Sequence, residues 1–191
     1  MIICDAPRVI DNPSAPPGKA TKYGRREYEL RFLLAELPAG SVTRTLEIHD
    51  RYLVETRLRL RRVDQVDPAG QTPIFKLTQK VPAPDGGPGL ITNTYLSAAE
   101  YDMFATLPAA VLIKTRHSIP PLGVDVFAGA LAGLILAEAE FDTEEERDAF
   151  QPPEFVIDEV TKDMRFTGAR LALTSAERVR ELLRLFGLRI T

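Results

Sequence analysis

The stretch REYELRFLL, residues Arg26–Leu34, decides how this sequence is read. With a period of two, Tyr28, Leu30, Phe32 and Leu34 fall on one side of a strand and Glu27, Glu29 and Arg31 on the other. Strand propensity does not call for two carboxylates at i and i+2, where like charges repel across a pleated surface. A solvated outer face is one account of them. A paired-carboxylate metal site beside a phosphate clamp is the other, and the rest of the chain weighs between the two.

Composition sets the frame. A chain of 191 residues suits one domain with a sizeable core, and 45% apolar with 27% charged residues is ordinary for a globular protein. A formal net charge of -3 gives no bulk basic excess, so nucleic acid is not an expected partner. The single cysteine, Cys4, has no internal disulfide partner, and with two distant histidines it makes no zinc pattern. The longest uncharged, mostly apolar run, residues 126–137, is too short to span a bilayer as a helix, and no signal-peptide pattern is seen. No membrane association is expected, and a cytoplasmic location follows as the default.

Residues 1–24, with Pro7, Pro13, Pro16 and Pro17, read as a flexible lead-in, and residues 25–191 as a single domain. From Arg25 onward, period-two segments alternate with turn signals, which predicts an α+β protein that is mainly antiparallel β. Three stretches read as helices: Ser97–Leu107, opened by a capping box of Ser97 and Glu100; Asp142–Phe150, capped by Asp142 or Thr143; and Thr174–Gly187, opened by Thr174 with Glu177 and stopped by Gly187. The last carries a stripe of Val179, Leu182, Leu183 and Phe186, which calls for an apolar wall on the outside of the sheet.

The opening pattern recurs. Read as one strand, Tyr52–Val63 puts Glu55, Arg57, Arg59 and Arg61 on one face; Lys76, Thr78 and Lys80 share a face, as do Lys114, Arg116 and Ser118; Glu138 and Glu140 repeat the double carboxylate. The signs segregate by strand, whereas a solvated face usually intersperses them. A closed barrel with charges inside and helices packed outside accommodates both the segregation and the apolar helix stripes. Such an interior is costly unless each charge meets a partner or ligand. Arginine and lysine rows suit phosphate oxygens, and glutamate pairs suit a hard divalent cation such as Mg²⁺ or Mn²⁺. His117, on the opposite parity from Lys114 and Arg116, reads as structural, and the Asp85–Gly89 loop reads as a turn.

These motifs resemble the CYTH superfamily, the triphosphate tunnel metalloenzymes. The resemblance rests on Glu27, Glu29 and Arg31 at the ExExK position, Arg57 and Arg59 at RxR after Tyr52 and Leu53, Lys80, Lys114 and Arg116 at KxR, Asp125, then Glu138 and Glu140, and a late EVT element at Glu159–Thr161. It implies an eight-stranded antiparallel tunnel. The implied phosphate ligands are Arg31, Arg57, Arg59, Lys80, Lys114, Arg116 and Arg165; the implied metal ligands for Mg²⁺ or Mn²⁺ are Glu27, Glu29, Asp125, Glu138 and Glu140. The implied activity is hydrolysis of a small-molecule triphosphate to orthophosphate, with Arg31 and Tyr52 as catalytic residues. A class IV adenylate cyclase-like lyase acting on ATP and a slow or non-catalytic polyphosphate- or nucleotide-binding module are the alternatives. Arg31 departs from the family lysine: it keeps the charge but does not give up a proton. Thr92 and Thr94 stand where relatives often carry an acidic pair.

Overall fold

The computed structural model describes residues 24–67, 70–81 and 89–188. The lead-in of residues 1–23 with Cys4, most of the Asp85–Gly89 loop, and residues 189–191 lie outside the described residues. Ten strands form one sheet: β1 (Arg25–Arg26), β2 (Tyr28–Leu34), β3 (Arg44–Leu53), β4 (Leu58–Asp67), β5 (Ile74–Val81), β6 (Leu90–Leu96), β7 (Ala109–Ile119), β8 (Leu122–Phe127), β9 (Ile135–Phe141) and β10 (Val156–Glu159). Every ladder is antiparallel, in the order β1-β6-β5-β4-β3-β7-β8-β9-β2-β10. The α+β, mainly antiparallel class is as expected, but among the described residues there are ten strands in place of the expected eight, and no ladder joins β1 to β10 to close the sheet. Only Glu27 separates β1, on β6, from β2, on β9.

The expected strand Tyr52–Val63 is in fact a hairpin. Tyr52 ends β3, residues 54–57 turn, and β4 begins at Leu58. The turn has no Gly, Pro or Asn. Instead the Thr56 hydroxyl donates to the Leu53 carbonyl at 3.0 Å and accepts from the Leu58 amide at 3.0 Å, while Glu55 takes a left-handed φ of 58°. Glu55 is therefore exposed at a turn and does not share a strand face with Arg59 and Arg61. β3 is long enough to pair with both β4 and β7, and it brings Asp50 opposite Arg61 and Leu112.

Residues facing each other in an antiparallel ladder share a side of the sheet. Leu112 faces Asp50, Phe127 faces Lys114, and Leu136 faces both Asp125 and Leu33. These apolar side chains therefore belong to the charged face, where they form one end of it. They cluster with Val160, Phe166, Leu171 of α3 (Gly168–Leu171), and Val179, Leu182 and Leu183 of α4 (Ala176–Leu185). The expectation that this last helix packs outside the sheet is corrected: its apolar stripe covers an end of the charged face. Its cap is Ser175, one residue beyond the expected Thr174, and Gly187 (φ 75°) ends it as expected.

The other two helices do lie on the outer face. α1 (Ala98–Ala105), with the expected Ser97–Glu100 capping box, sets Tyr101 4.6 Å from Phe75. α2 (Glu144–Ala149), capped by Thr143, leads into Phe150, which meets Phe32 and Phe141 over a second core containing Leu34, Val124, Ala137 and Ala139. Among the described residues no helix is long and apolar enough to cross a membrane.

Candidate functional site

The strands β2 and β9 supply carboxylates. Their register puts Glu29 opposite Glu140 and Arg31 opposite Glu138, and two glutamates, Glu29 and Glu138, converge on the Arg31 guanidinium. Arg31 bonds Glu29 and lies 3.5 Å from Glu138, while its buried Nη1 has no hydrogen-bond partner. Burial, and after it the Glu138 charge, raises the pKa of Glu29 above the ordinary carboxylate value. Glu27 binds Lys80 of β5 at 2.6 Å, and Glu140 meets Arg25 at 3.5 Å. The backbone of Arg31 is fixed by the late EVT element: its amide donates to the Thr161 hydroxyl at 2.9 Å, and its carbonyl accepts from the Val160 amide at 2.8 Å.

On β7 and β8, Lys114 and Arg116 share Asp125. Arg116 donates to both Asp125 oxygens at 2.6 Å and also bonds Glu138; Lys114 bonds Asp125 as well. Arg116 reaches Glu138 by lying across Gly123, where an added Cβ would come within 3.3 Å of its side chain. Burial drives the Lys114 pKa down against the pull of Asp125. Burial also opposes ionisation of Glu138, but Arg116, Lys114 and Arg31 outweigh it and hold that carboxyl well below its usual range.

The third wall is β3, β4 and β5. Asp50 takes a two-pronged bond from Arg61, at 2.6 and 2.7 Å, with Arg59 Nε 3.6 Å away and unbonded. Lys76 sits opposite Arg61 and, like Lys80 and Thr78, on this face; burial and the two arginine charges push its pKa down. Tyr52 faces Arg59, and its phenol is pushed up to about 12 by burial and the Asp50 charge. Its hydroxyl crowds Gly168: a Cβ there would sit 1.9 Å from the oxygen, so only glycine fits.

Most of the expected residues share one face, with three departures. Arg165 is not brought to it: half exposed, it is tied to Asp163 at 2.6 Å in a 3₁₀ turn. Arg57 precedes β4 at the turn, and Arg61, unassigned from sequence, occupies the buried place in its row. Thr92 and Thr94 face away, opposite Gln79 and Leu77; the residues of β6 on the charged face are Ile91, Asn93 and Tyr95, with Asn93 accepting from Thr78 at 2.7 Å. Among the described residues no three acidic, imidazole or thiol groups gather as a metal-ligand cluster. In particular Asp125, expected as a ligand, is 1% exposed and consumed by two cations. Asp50 is what the sequence reading missed.

No family model matches the chain. An inorganic triphosphatase from Nitrosomonas europaea is 32% identical over 163 residues, which are 78% of this chain and 97% of that protein. The chain belongs to the inorganic triphosphatase family. The crystal structure of the inorganic triphosphatase NE1496 superposes with a TM-score of 0.52 at 28% identity, over 78% of this chain and 95% of that one. A second crystal structure of NE1496 gives the same score at 27% identity. Membership of the inorganic triphosphatase family agrees with the family that the spaced motifs resemble.

Proposed function

We propose that this protein hydrolyses inorganic triphosphate or a small organic triphosphate to release orthophosphate, inside a tunnel formed by its charged face. The observation that carries the reading is a face crowded with opposed acids and bases, on which lie two of the three buried side-chain donors without partners among the described residues, Arg31 Nη1 and Arg59 Nε; the third, Arg51 Nε, is on the other face. A buried unbonded guanidinium nitrogen is expensive, and phosphate oxygens are its natural partners. Tunnel closure is supported by the passage of residues 25–34 from β6 to β9 and by the Glu27–Lys80 ion pair that spans the same gap.

Arg59, Arg61, Lys80, Lys114 and Arg116, with Arg31, hold the phosphate chain and neutralise charge that develops on it. Arg31 keeps its proton, and the raised pKa of Tyr52 keeps its hydroxyl a donor at neutral pH, so these two orient groups and do not remove protons. A hard cation calls for oxygen ligands, which β2 and β9 offer in Glu27, Glu29, Glu138 and Glu140; these do not gather as a ready cluster, since Arg31 holds Glu29 and Glu138, Arg116 holds Glu138 and Lys80 holds Glu27, so a cation would take the place of these bases. Asp125 does not fit that role. When bound there, Mg²⁺ or Mn²⁺ would supply charge neutralisation at phosphate oxygens.

The test is phosphate release from inorganic triphosphate, ATP and thiamine triphosphate, each with Mg²⁺, Mn²⁺ or EDTA. Chelator-sensitive orthophosphate release is expected. Pyrophosphate from ATP would mark a cyclising lyase instead, and tight binding without turnover would mark a binding module.

A further inference from the structure

Asp50 has no counterpart in the motifs that suggested a function, yet it is among the most buried charges of the molecule, its side chain 1% exposed. Both of its oxygens are engaged by one residue: Oδ1 accepts from Arg61 Nε at 2.6 Å and Oδ2 from Arg61 Nη2 at 2.7 Å. Nη1 takes no part in that fork. Arg59 Nε stands 3.6 Å from the same Oδ1 and is left without a hydrogen bond, while its Nη2 donates to Thr78 Oγ1 at 3.4 Å. One carboxylate thus serves two guanidiniums, with Lys76 opposite Arg61 on the next strand and no acid bonded to it among the described residues. A buried carboxylate that grips one edge of a planar guanidinium fixes the direction of the other edge.

We propose that Asp50 is a positioning residue for substrate binding: it holds Arg61 by the Nε–Nη2 edge so that Nη1, with the unbonded Nε of Arg59, is presented to the phosphate chain. This rests on the triphosphatase reading. Asp50 does not touch substrate; it acts through Arg61 and loses its effect when Arg61 is absent.

The experiment is a double-mutant cycle of Asp50→Asn, Arg61→Gln and the double variant, with inorganic triphosphate as the probe. Kinetics give KM and kcat; calorimetry in EDTA gives Kd. Asp50→Asn is expected to raise KM and Kd about tenfold with kcat within about threefold, the signature of a lost binding geometry. Arg61→Gln should raise KM and Kd at least as far and also lower kcat, because it removes the charge itself, and the double variant should be no weaker than Arg61→Gln alone. Unchanged KM and Kd in a folded Asp50→Asn protein overturns the proposal, as does a double variant whose losses multiply. Should Asp50→Asn fail to fold, Asp50→Glu, which keeps the charge but displaces the Arg61 fork by a methylene, makes the same decision: unchanged KM and Kd overturns the proposal. If the wild type releases no orthophosphate, the triphosphatase reading fails, while calorimetry still decides the role of Asp50.

Discussion

Asp50 and Glu29 are both buried carboxylates on the charged face, and their proton affinities move in opposite directions. Burial alone favours the neutral form of each. At Asp50 the opposing charges of Arg61 and Arg59 win and hold the pKa at about 2, whereas at Glu29 burial and the Glu138 charge outweigh the pull of Lys80 and Arg31. The β3–β4 wall therefore carries surplus positive charge and the β2–β9 wall surplus negative charge. Under the proposed function, a phosphate chain would lie against the first wall and a cation against the second.

The largest effect expected from breaking this division is at Glu138, which stands between the walls with Arg116 and Arg31 on it. Glu138→Gln should lower Mg²⁺-dependent orthophosphate release about a hundredfold or more; activity that survives within a few-fold removes Glu138 from the site.

The pH dependence of stability sharpens the comparison next. Because the folded-state pKa of Asp50 is depressed from 3.8 to about 2, its contribution is complete above about pH 4 and lost as pH falls through about 2. That contribution is about 2 kcal/mol, and Glu138 shifts in the same direction. Urea unfolding of the wild type between pH 5 and 2 should show the loss, and Asp50→Asn should flatten the profile.

The smallest effect has the opposite sign. The raised pKa of Glu29 means its ionised form weakens the fold as pH rises above the ordinary carboxylate value, so Glu29→Gln should raise unfolding stability at pH 7 by about 0.2–1 kcal/mol, the scale of a relieved like-charge pair. The same variant should lose metal-dependent activity, and a variant that is both destabilised and active reverses the assignment of the two walls.

Period-two reading was sufficient for β2, β7 and β9, because each carries at least two charges on one face against apolar residues on the other: Glu29 with Arg31, Lys114 with Arg116, Glu138 with Glu140. It failed at the β3–β4 hairpin for a definite reason. The Thr56 hydroxyl makes the turn's hydrogen bonds, and a threonine flanked by Glu55 and Arg57 looks like any strand residue. Losing that turn hid β3, and with it Asp50, whose neighbours on the same face include Ile48 and Tyr52 and so present no charged pattern. The destination of the α4 stripe was also beyond sequence: Leu33, Leu112, Phe127 and Leu136 follow the alternation of the charged face, and only the register shows that they form one apolar end of it.

That apolar end has a kinetic consequence. Leu33 packs in one cluster with Val179 and Leu183, and the amide of Arg31 finds its partner at Thr161, 130 residues away along the chain. A nascent polypeptide therefore exposes Leu33, Leu112, Phe127 and Leu136 throughout synthesis of the sheet, until the segment that covers them has been made. Long-range contacts of this kind place folding in the slow regime of about milliseconds to seconds. Shielding from aggregation during that wait is where this molecule would depend most on the cell's chaperones.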